Sequence, residues 1–315
     1  MNKATQPEAY AGHDGGPFSP VDVRVVATWP VGSFAENLAV RPDGSVLVSL
    51  HSPQRIDRYD PASGRTTPFA DLPAPGMGLA FDAEGTLWAT GGAFPQGPGH
   101  VWRVAQDGTV RHWTDLPDAP FINGCTIHPD GKTLLACESM TGRILAIDMR
   151  EPHRWRAWLT AEVLTPGVAR IPGANGIKIR DRHAWISVSG RRLILRTRIE
   201  ANGTPGSLQT VGKRIIADDF AIGISGALYI ATHPAQSVVR LDTSGTRITL
   251  TGPNQGAVGS TACAFGRTPA DDTAIYVTTD GGLLVPHEGG VQEAKLLRLE
   301  VGEKGCPLLD GENDT

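Results

Sequence analysis

The sequence predicts an all-β chain, a six-bladed β-propeller with four antiparallel strands per blade, closed by its own N-terminal strand. Three observations predict it. A hairpin-forming stretch recurs through the 315 residues at a spacing of about 40–50. Each copy is followed by one or two further short strands of alternating polarity. The last copy is one strand short, and a spare strand precedes the first.

The recurring stretch is RPDGSVLVSL (41–50). It returns as FDAEGTLWAT (81–90), HPDGKTLLAC (128–137), IRDRHAWISV (179–188), IGISGALYIAT (222–232) and DDTAIYVTT (271–279). Each places a tight polar turn, usually with glycine, before an apolar strand, and Asp-Gly or Glu-Gly at such a turn favours a hairpin. Third strands follow at 55–61, 100–108, 143–149, 193–199, 237–245 and 294–301, and fourth strands at 65–73, 109–117, 154–160 and 247–253. VDVRVVATWP (21–30) ends in the style of the fourth strands and supplies the one missing from the sixth unit. Closing the ring this way leaves no long unpaired edge. The expected organisation is a flexible extension over 1–20, one propeller over 21–301 and a tail over 302–315.

Bulk composition excludes several partners. The chain is 40% hydrophobic and 20% charged, with a net charge of −4, as in ordinary globular proteins. There is no Lys/Arg cluster to bind nucleic acid or an anionic membrane, and no apolar run long enough to span a bilayer. The start, MNKATQPEAYAGHDGG, lacks the apolar core of a signal peptide. Cys125, Cys137, Cys263 and Cys306 show no metal-type spacing and read as free thiols. A cytoplasmic monomer or dimer is the expectation. The tryptophans, from Trp29 to Trp185, fall at strand positions and read as packing between blades.

The repeat also serves as a ruler. Counted from turn glycines Gly44, Gly85, Gly131 and Gly226, one column reads Glu36, Met77, Asn123, Asn175, Asp218 and Thr261. Positions two and four further on are apolar throughout, which supports the register. First strands line the axis of a propeller, so the column brings two carboxylates and two amides to one point. These are hard oxygen donors suited to one divalent cation: Ca²⁺ first, with Zn²⁺, Mg²⁺ or Mn²⁺ as alternatives. Asp219 is adjacent, and a slip of one residue would exchange it for Asp218; register favours Asp218. A second column, at the end of the returning strand, reads His51, Gly92, Glu138, Ser189, His233 and Asp280. His51 and His233 are candidates for proton transfer near neutral pH. His100, His112, His128, His153, His183 and His287 fall elsewhere and read as surface. No GxSxG elbow or phosphate-binding glycine loop is present.

From about residue 21 to 301 the chain resembles the regucalcin/gluconolactonase-like (SMP-30, or SGL) family. Glu36, Asn123, Asn175 and Asp218 correspond to that family's ligands. Its Pro-Asn-Gly element stands here as Ala174-Asn175-Gly176, and its Pro-Asp-Gly element as Ala217-Asp218-Asp219. The resemblance implies a six-bladed propeller with one cation in the channel. It also implies hydrolysis of a lactone or ester, with Asp218, His51 or His233 as base. Where sugar-lactone members often carry Arg-Pro-Asn-Asp, this chain has Phe121-Ile122-Asn123-Gly124. With Phe34 and Met77 beside it, the pocket is expected to take a small molecule more apolar than a free sugar lactone; Glu138, Asp219 and Thr261 complete the expected substrate contacts. A non-hydrolytic lyase, cyclase or isomerase resembling strictosidine synthase, or a metal-stabilised binding protein, are the alternatives.

Overall fold

A computed structural model describes residues 13–307 apart from 96, 169 and 170. The chain enters as β1 (Asp22–Trp29). Blade 1 follows as β2 (Phe34–Val40), β3 (Val46–Ser52), β4 (Arg55–Asp60) and β5 (Arg65–Asp71). Blade 2 comprises β6 (Gly76–Phe81), β7 (Leu87–Gly92), β8 (Gly99–Val104) and β9 (Val110–Leu116). Blade 3 comprises β10 (Ile122–Ile127), β11 (Thr133–Glu138), β12 (Arg143–Asp148) and β13 (Trp155–Thr160). Blade 4 has β14 (Ala174–Arg180), β15 (His183–Val188), β16 (Leu193–Arg198) and β17 (Gln209–Lys213). Blade 5 has β18 (Phe220–Ile222), β19 (Leu228–Ala231), β20 (Val238–Leu241) and β21 (Arg247–Thr251). Blade 6 is β22 (Ser260–Phe265), β23 (Ala274–Thr279) and β24 (Ala294–Glu300), with β1 as its outermost strand.

All pairings within the six blades are antiparallel, and β1 pairs with β24, so the N-terminal strand closes the ring. At that seam the Trp29 indole N–H donates to Asp57 Oδ2 at 2.7 Å, tying blade 6 to blade 1. Trp113 and Trp158 act alike, donating to the carbonyls of Asp148 and Gly203 in the next blade. The core lies between blades. One cluster joins Leu135, Cys137 and Ile144 of blade 3 to Ile177 and Ile186 of blade 4; another joins Leu38 and Val48 of blade 1 to Tyr276 and Leu296 of blade 6. Alternation along each strand supplies two apolar faces per blade, and stacking the blades buries both.

Residues 13–20 run along blade 5, with backbone hydrogen bonds to Arg214 and Thr249 and an Asp14–Arg247 ion pair at 3.0 Å. The remainder of the expected extension, residues 1–12, lies outside the described residues, as do 308–315 of the expected tail. Residues 304 and 306 hydrogen-bond to Ile224 and Ile222. No described helix is long and apolar enough to cross a membrane. The four cysteines are free thiols, three of them buried. His128, expected at the surface, is buried and packs its ring edge-on to Trp158.

Candidate functional site

Regular ladders break at the start of the first strands. In β2–β3 the register passes from Ala35↔Leu50 to Asn37↔Ser49, leaving Glu36 extra; in β14–β15 it passes from Ala174↔Val188 to Ile177↔Ile186. The same break falls at Met77 and Gly78, at Asn123 and Gly124, and at Thr261. A bulge re-aims the residue it contains. Glu36, Met77, Asn123, Asn175 and Thr261 are thereby turned out of their ladders; Asp218 lies two residues before β18, outside any such bulge, and every member of the column is buried.

The bulges are pinned by hydroxyls from the second strands. Ser49, Thr90 and Ser187 accept the backbone N–H of Asn37, Gly78 and Gly176. The same hydroxyls donate to the carbonyls of Met77, Asn123 and Asp218 in the next blade. Glycine is required at 124 and 176 because a Cβ there would lie 2.7 Å from the Asn175 carbonyl oxygen and 2.4 Å from Asp219 Oδ1. Sequence reading missed this row of hydroxyls, although Ser49, Thr90 and Ser187 share one repeat position.

At the column, Asn175 Nδ2 donates to Asp218 Oδ1 at 2.5 Å and to Ser189 Oγ at 3.0 Å. His233 stands beside it, Nδ1 3.5 Å from Asp218 Oδ2 and Nε2 3.1 Å from Asp280 Oδ2. Burial pushes the Glu36 carboxyl up to about 7; the His233 charge opposes this, while Asp280 and Asp219 add to it. Burial and then the Glu36 charge hold Asp218 well above the usual carboxylate range. Burial alone would lower His233, but its hydrogen bond to Asp280 and the charges of Asp280, Asp218 and Glu36 outweigh that and raise it to about 9. His51 is held below its ordinary value by burial.

The wall above these groups is aromatic. The Phe34 ring lies 5.3 Å from that of His51 and 5.9 Å from that of His233. Phe121 stacks on Phe94 with centroids 4.6 Å apart. Met77 is buried in the column itself.

Three expected contacts are placed elsewhere. Glu138 turns away from the channel and caps its own loop, accepting from the Met140 and Thr141 backbone N–H and the Thr141 hydroxyl. Ser139 takes its place, with Oγ 3.5 Å from Asn123 Nδ2 and donating to the Ala174 carbonyl. The reason is one extra residue after Gly131: Ile127 pairs with Leu134, whereas Val40 pairs with Val46 and Phe81 with Leu87. Thr261 spends its hydroxyl on the blade seam, donating to the Ala35 carbonyl and accepting from the Thr278 hydroxyl 2.9 Å away. Asp219 faces the opposite way from Asp218. Both its oxygens lie within 2.7 Å of Lys178 Nζ, and Asn37 Nδ2 and the Phe220 N–H also donate to it. This ion pair plugs the channel beneath the column. Beyond it a mostly apolar cavity of about 370 Å³, lined by residues such as Leu79, Ile127 and Phe265, opens at the other end, away from the histidines.

Glu36, Asn123, Asn175 and Asp218 fit a hard divalent cation. They are oxygen donors from four blades, three on strands and Asp218 just before β18, and two of them are buried acids that such a charge would neutralise. Ligation by Asn175 requires a half-turn of its amide, which exchanges Nδ2 for Oδ1.

Comparison with known proteins agrees with this fold. A protein from Phoma sp. provisionally named a hetero-Diels-Alderase is 26% identical over 323 aligned positions, spanning 85% of this chain and 89% of its own length. A second of that name, from Sarocladium schorii, is 25% identical and spans 85% of this chain and 80% of its own. The crystal structure of the calcium-binding protein regucalcin from Agrobacterium tumefaciens superposes with a TM-score of 0.69 at 18% identity, covering 93% of this chain and 98% of that one, a likeness of fold. Residues 22–160 match the model of the SMP-30/gluconolactonase/LRE-like region, and the rest of the chain completes the propeller, so the chain is similar to that family over its first three blades.

Proposed function

We propose that the aromatic-walled end of the channel is the active site of an enzyme acting on a carbonyl-bearing, largely apolar small molecule. His233 is its proton or hydrogen-bond donor. One observation carries this reading: Asp280 fixes the His233 ring at Nε2, while Nδ1, 3.5 Å from Asp218 Oδ2 and beside Phe34, keeps the N–H that can turn to a substrate oxygen. A donor fixed in this way needs no reorganisation when charge develops on a carbonyl oxygen.

The chemistry favoured is non-hydrolytic ring formation. Phe34, Phe121, Phe94 and Met77 are apolar and offer no polar partners for sugar hydroxyls. The two relatives that align over most of the chain bear the name of a cycloaddition enzyme. In such a reaction the walls hold the substrate folded. A hydrogen bond to a conjugated carbonyl draws electron density from the adjoining double bond. Two σ bonds form as two π bonds are consumed, and His233 keeps its proton.

Lactone or ester hydrolysis is the second reading, favoured by the four oxygen donors of the column. Asp218, His51 or His233 would then take the proton of the attacking water. When bound at Glu36, Asn123, Asn175 and Asp218, a divalent cation supplies Lewis-acid stabilisation of developing negative charge.

The deciding experiment offers the purified protein apolar lactones and esters alongside linear conjugated enones carrying a second alkene, with and without chelator. Hydrolysis adds the mass of water to the product; ring formation leaves the mass unchanged. His233→Gln is expected to lose at least about a hundredfold in rate in either case. An unaltered rate in His233→Gln sinks the reading.

A further inference from the structure

A second cluster of ligating side chains stands on the outer wall of blade 2. His100 lies on β8, and His112 and Asp115 lie on β9. His100 Nδ1 is 2.8 Å and His112 Nε2 2.7 Å from the same atom, Asp115 Oδ1. The three ligating atoms all lie within 4.8 Å of one another.

The backbone explains how they meet. In a regular strand, residues three apart face opposite sides. Here the pairing moves from Val101↔Thr114 to Trp102↔His112, so Trp113 is an extra residue. The bulge brings His112 onto the side of Asp115, and Asp115 is directly opposite His100. Trp113 is anchored inward, edge-on to Trp88 and bonded to the Asp148 carbonyl. The His100 ring is held against Trp102 at 5.5 Å.

The bulge belongs to the fold, but the triad does not. Blade 1 has the same shift between Ile56 and Asp57, and blade 3 between Ile144 and Leu145. The positions equivalent to His100, His112 and Asp115 are Arg55, Pro68 and Asp71 in blade 1. They are Arg143, Ala157 and Thr160 in blade 3. Only blade 2, of these three, gathers two imidazoles and a carboxylate.

We infer that His100, His112 and Asp115 form a site for a borderline transition-metal cation, Zn²⁺ above all, separate from the channel and stapling β9 to β8. Two imidazole nitrogens and one carboxylate oxygen are a donor set that Zn²⁺ takes and Ca²⁺ does not favour. Three protein ligands leave a fourth tetrahedral position for water. Half-exposed side chains, at 23%, 45% and 55%, let the cation and that water enter. On binding, each ring nitrogen now directed at Asp115 gives its lone pair to the metal, and the ring proton sits on the other nitrogen.

The test is a titration of chelator-treated protein with Zn²⁺, followed by calorimetry and thermal melting, with Co²⁺ as a spectroscopic probe. The wild type is expected to bind one equivalent at micromolar free metal that gives tetrahedral Co²⁺ absorption and raises Tm. That equivalent is expected to survive Glu36→Gln and to disappear in His112→Ala and in Asp115→Asn. Catalytic activity should be unchanged in both of the latter. Equal stoichiometry and equal Tm shifts in the wild type and His112→Ala overturn the site. So does loss of the equivalent in Glu36→Gln alone, or no uptake by the wild type.

Discussion

Asp280 accepts from His233 Nε2 at 3.1 Å and is itself locked from behind: the Gly282 N–H donates to its Oδ1 at 2.7 Å. Gly259 leaves the room for this, since a Cβ there would fall 1.6 Å from Asp280 Oδ1. The carboxylate therefore fixes the histidine ring as well as charging it. Asp280→Asn should preserve the fold, bring His233 down from about 9 and cost roughly a hundredfold in kcat. An NMR titration of the His233 ring, run beside the kinetics, checks both. An unmoved titration would assign Asp280 a packing role only.

The propeller was legible because its signals repeat. Six hairpins, a spare first strand and apolar positions two and four beyond the column each vote for the same register. The column is legible for the same reason, as it lies eight residues before the turn glycines Gly44, Gly85, Gly131 and Gly226. The second column was legible only where hairpin length is constant. One residue inserted after Gly131 moved the count to Glu138, and Ser139 takes the place. Asp280 stood in the column, but its bond to a histidine from another blade is a tertiary fact. So is the Asp219–Lys178 pair, because alternation says which face a residue takes and not which partner waits there.

Lys178 and Asp219 offer the clearest stability test. Asp219 is 3% exposed, and Lys178 Nζ holds both of its oxygens. Lys178→Met removes the cation and leaves the carboxylate buried with only Asn37 Nδ2 and the Phe220 N–H. The cost should be about 3–5 kcal/mol in urea unfolding, as expected when one partner of a buried pair is lost. Adding Asp219→Asn should recover most of it. A double variant as unstable as the sum of its singles would show the two sites to be uncoupled.

Glu36 gives a dependence on pH with a definite sign. Its folded value of about 7 exceeds the ordinary 4.5, so the folded protein holds a proton that the unfolded chain releases. In chelated protein this contribution is fully present below pH 4.5 and is lost as the pH rises through 7, amounting to on the order of 3 kcal/mol. Melting curves across that interval should show the decline, and Glu36→Gln should flatten it. Divalent cation should restore stability on the alkaline side by binding the ionised carboxylate. A decline of equal size in Glu36→Gln would place its source elsewhere.

Ser187 carries the last prediction. Its hydroxyl accepts the Gly176 N–H at 2.7 Å and donates to the Asp218 carbonyl, so one atom joins the bulge of blade 4 to the residue that faces His233. Ser187→Ala takes the nearer acceptor from the buried Gly176 N–H and the hydroxyl donor from a buried carbonyl, for which a loss of roughly 1–3 kcal/mol is expected. The Asp218 carbonyl keeps its bond from the Gly176 N–H, at 3.1 Å, so its backbone should loosen rather than detach. Activity should fall further than stability alone explains, because a site assembled across blades depends on small displacements. Thr90→Ala is the control: its hydroxyl makes the same bridge from Gly78 to the Asn123 carbonyl. It should cost similar stability while leaving the Asp218–His233 contact intact. Equal catalytic losses in the two variants would mean that the hydroxyl row supports the ring as a whole and does not position Asp218.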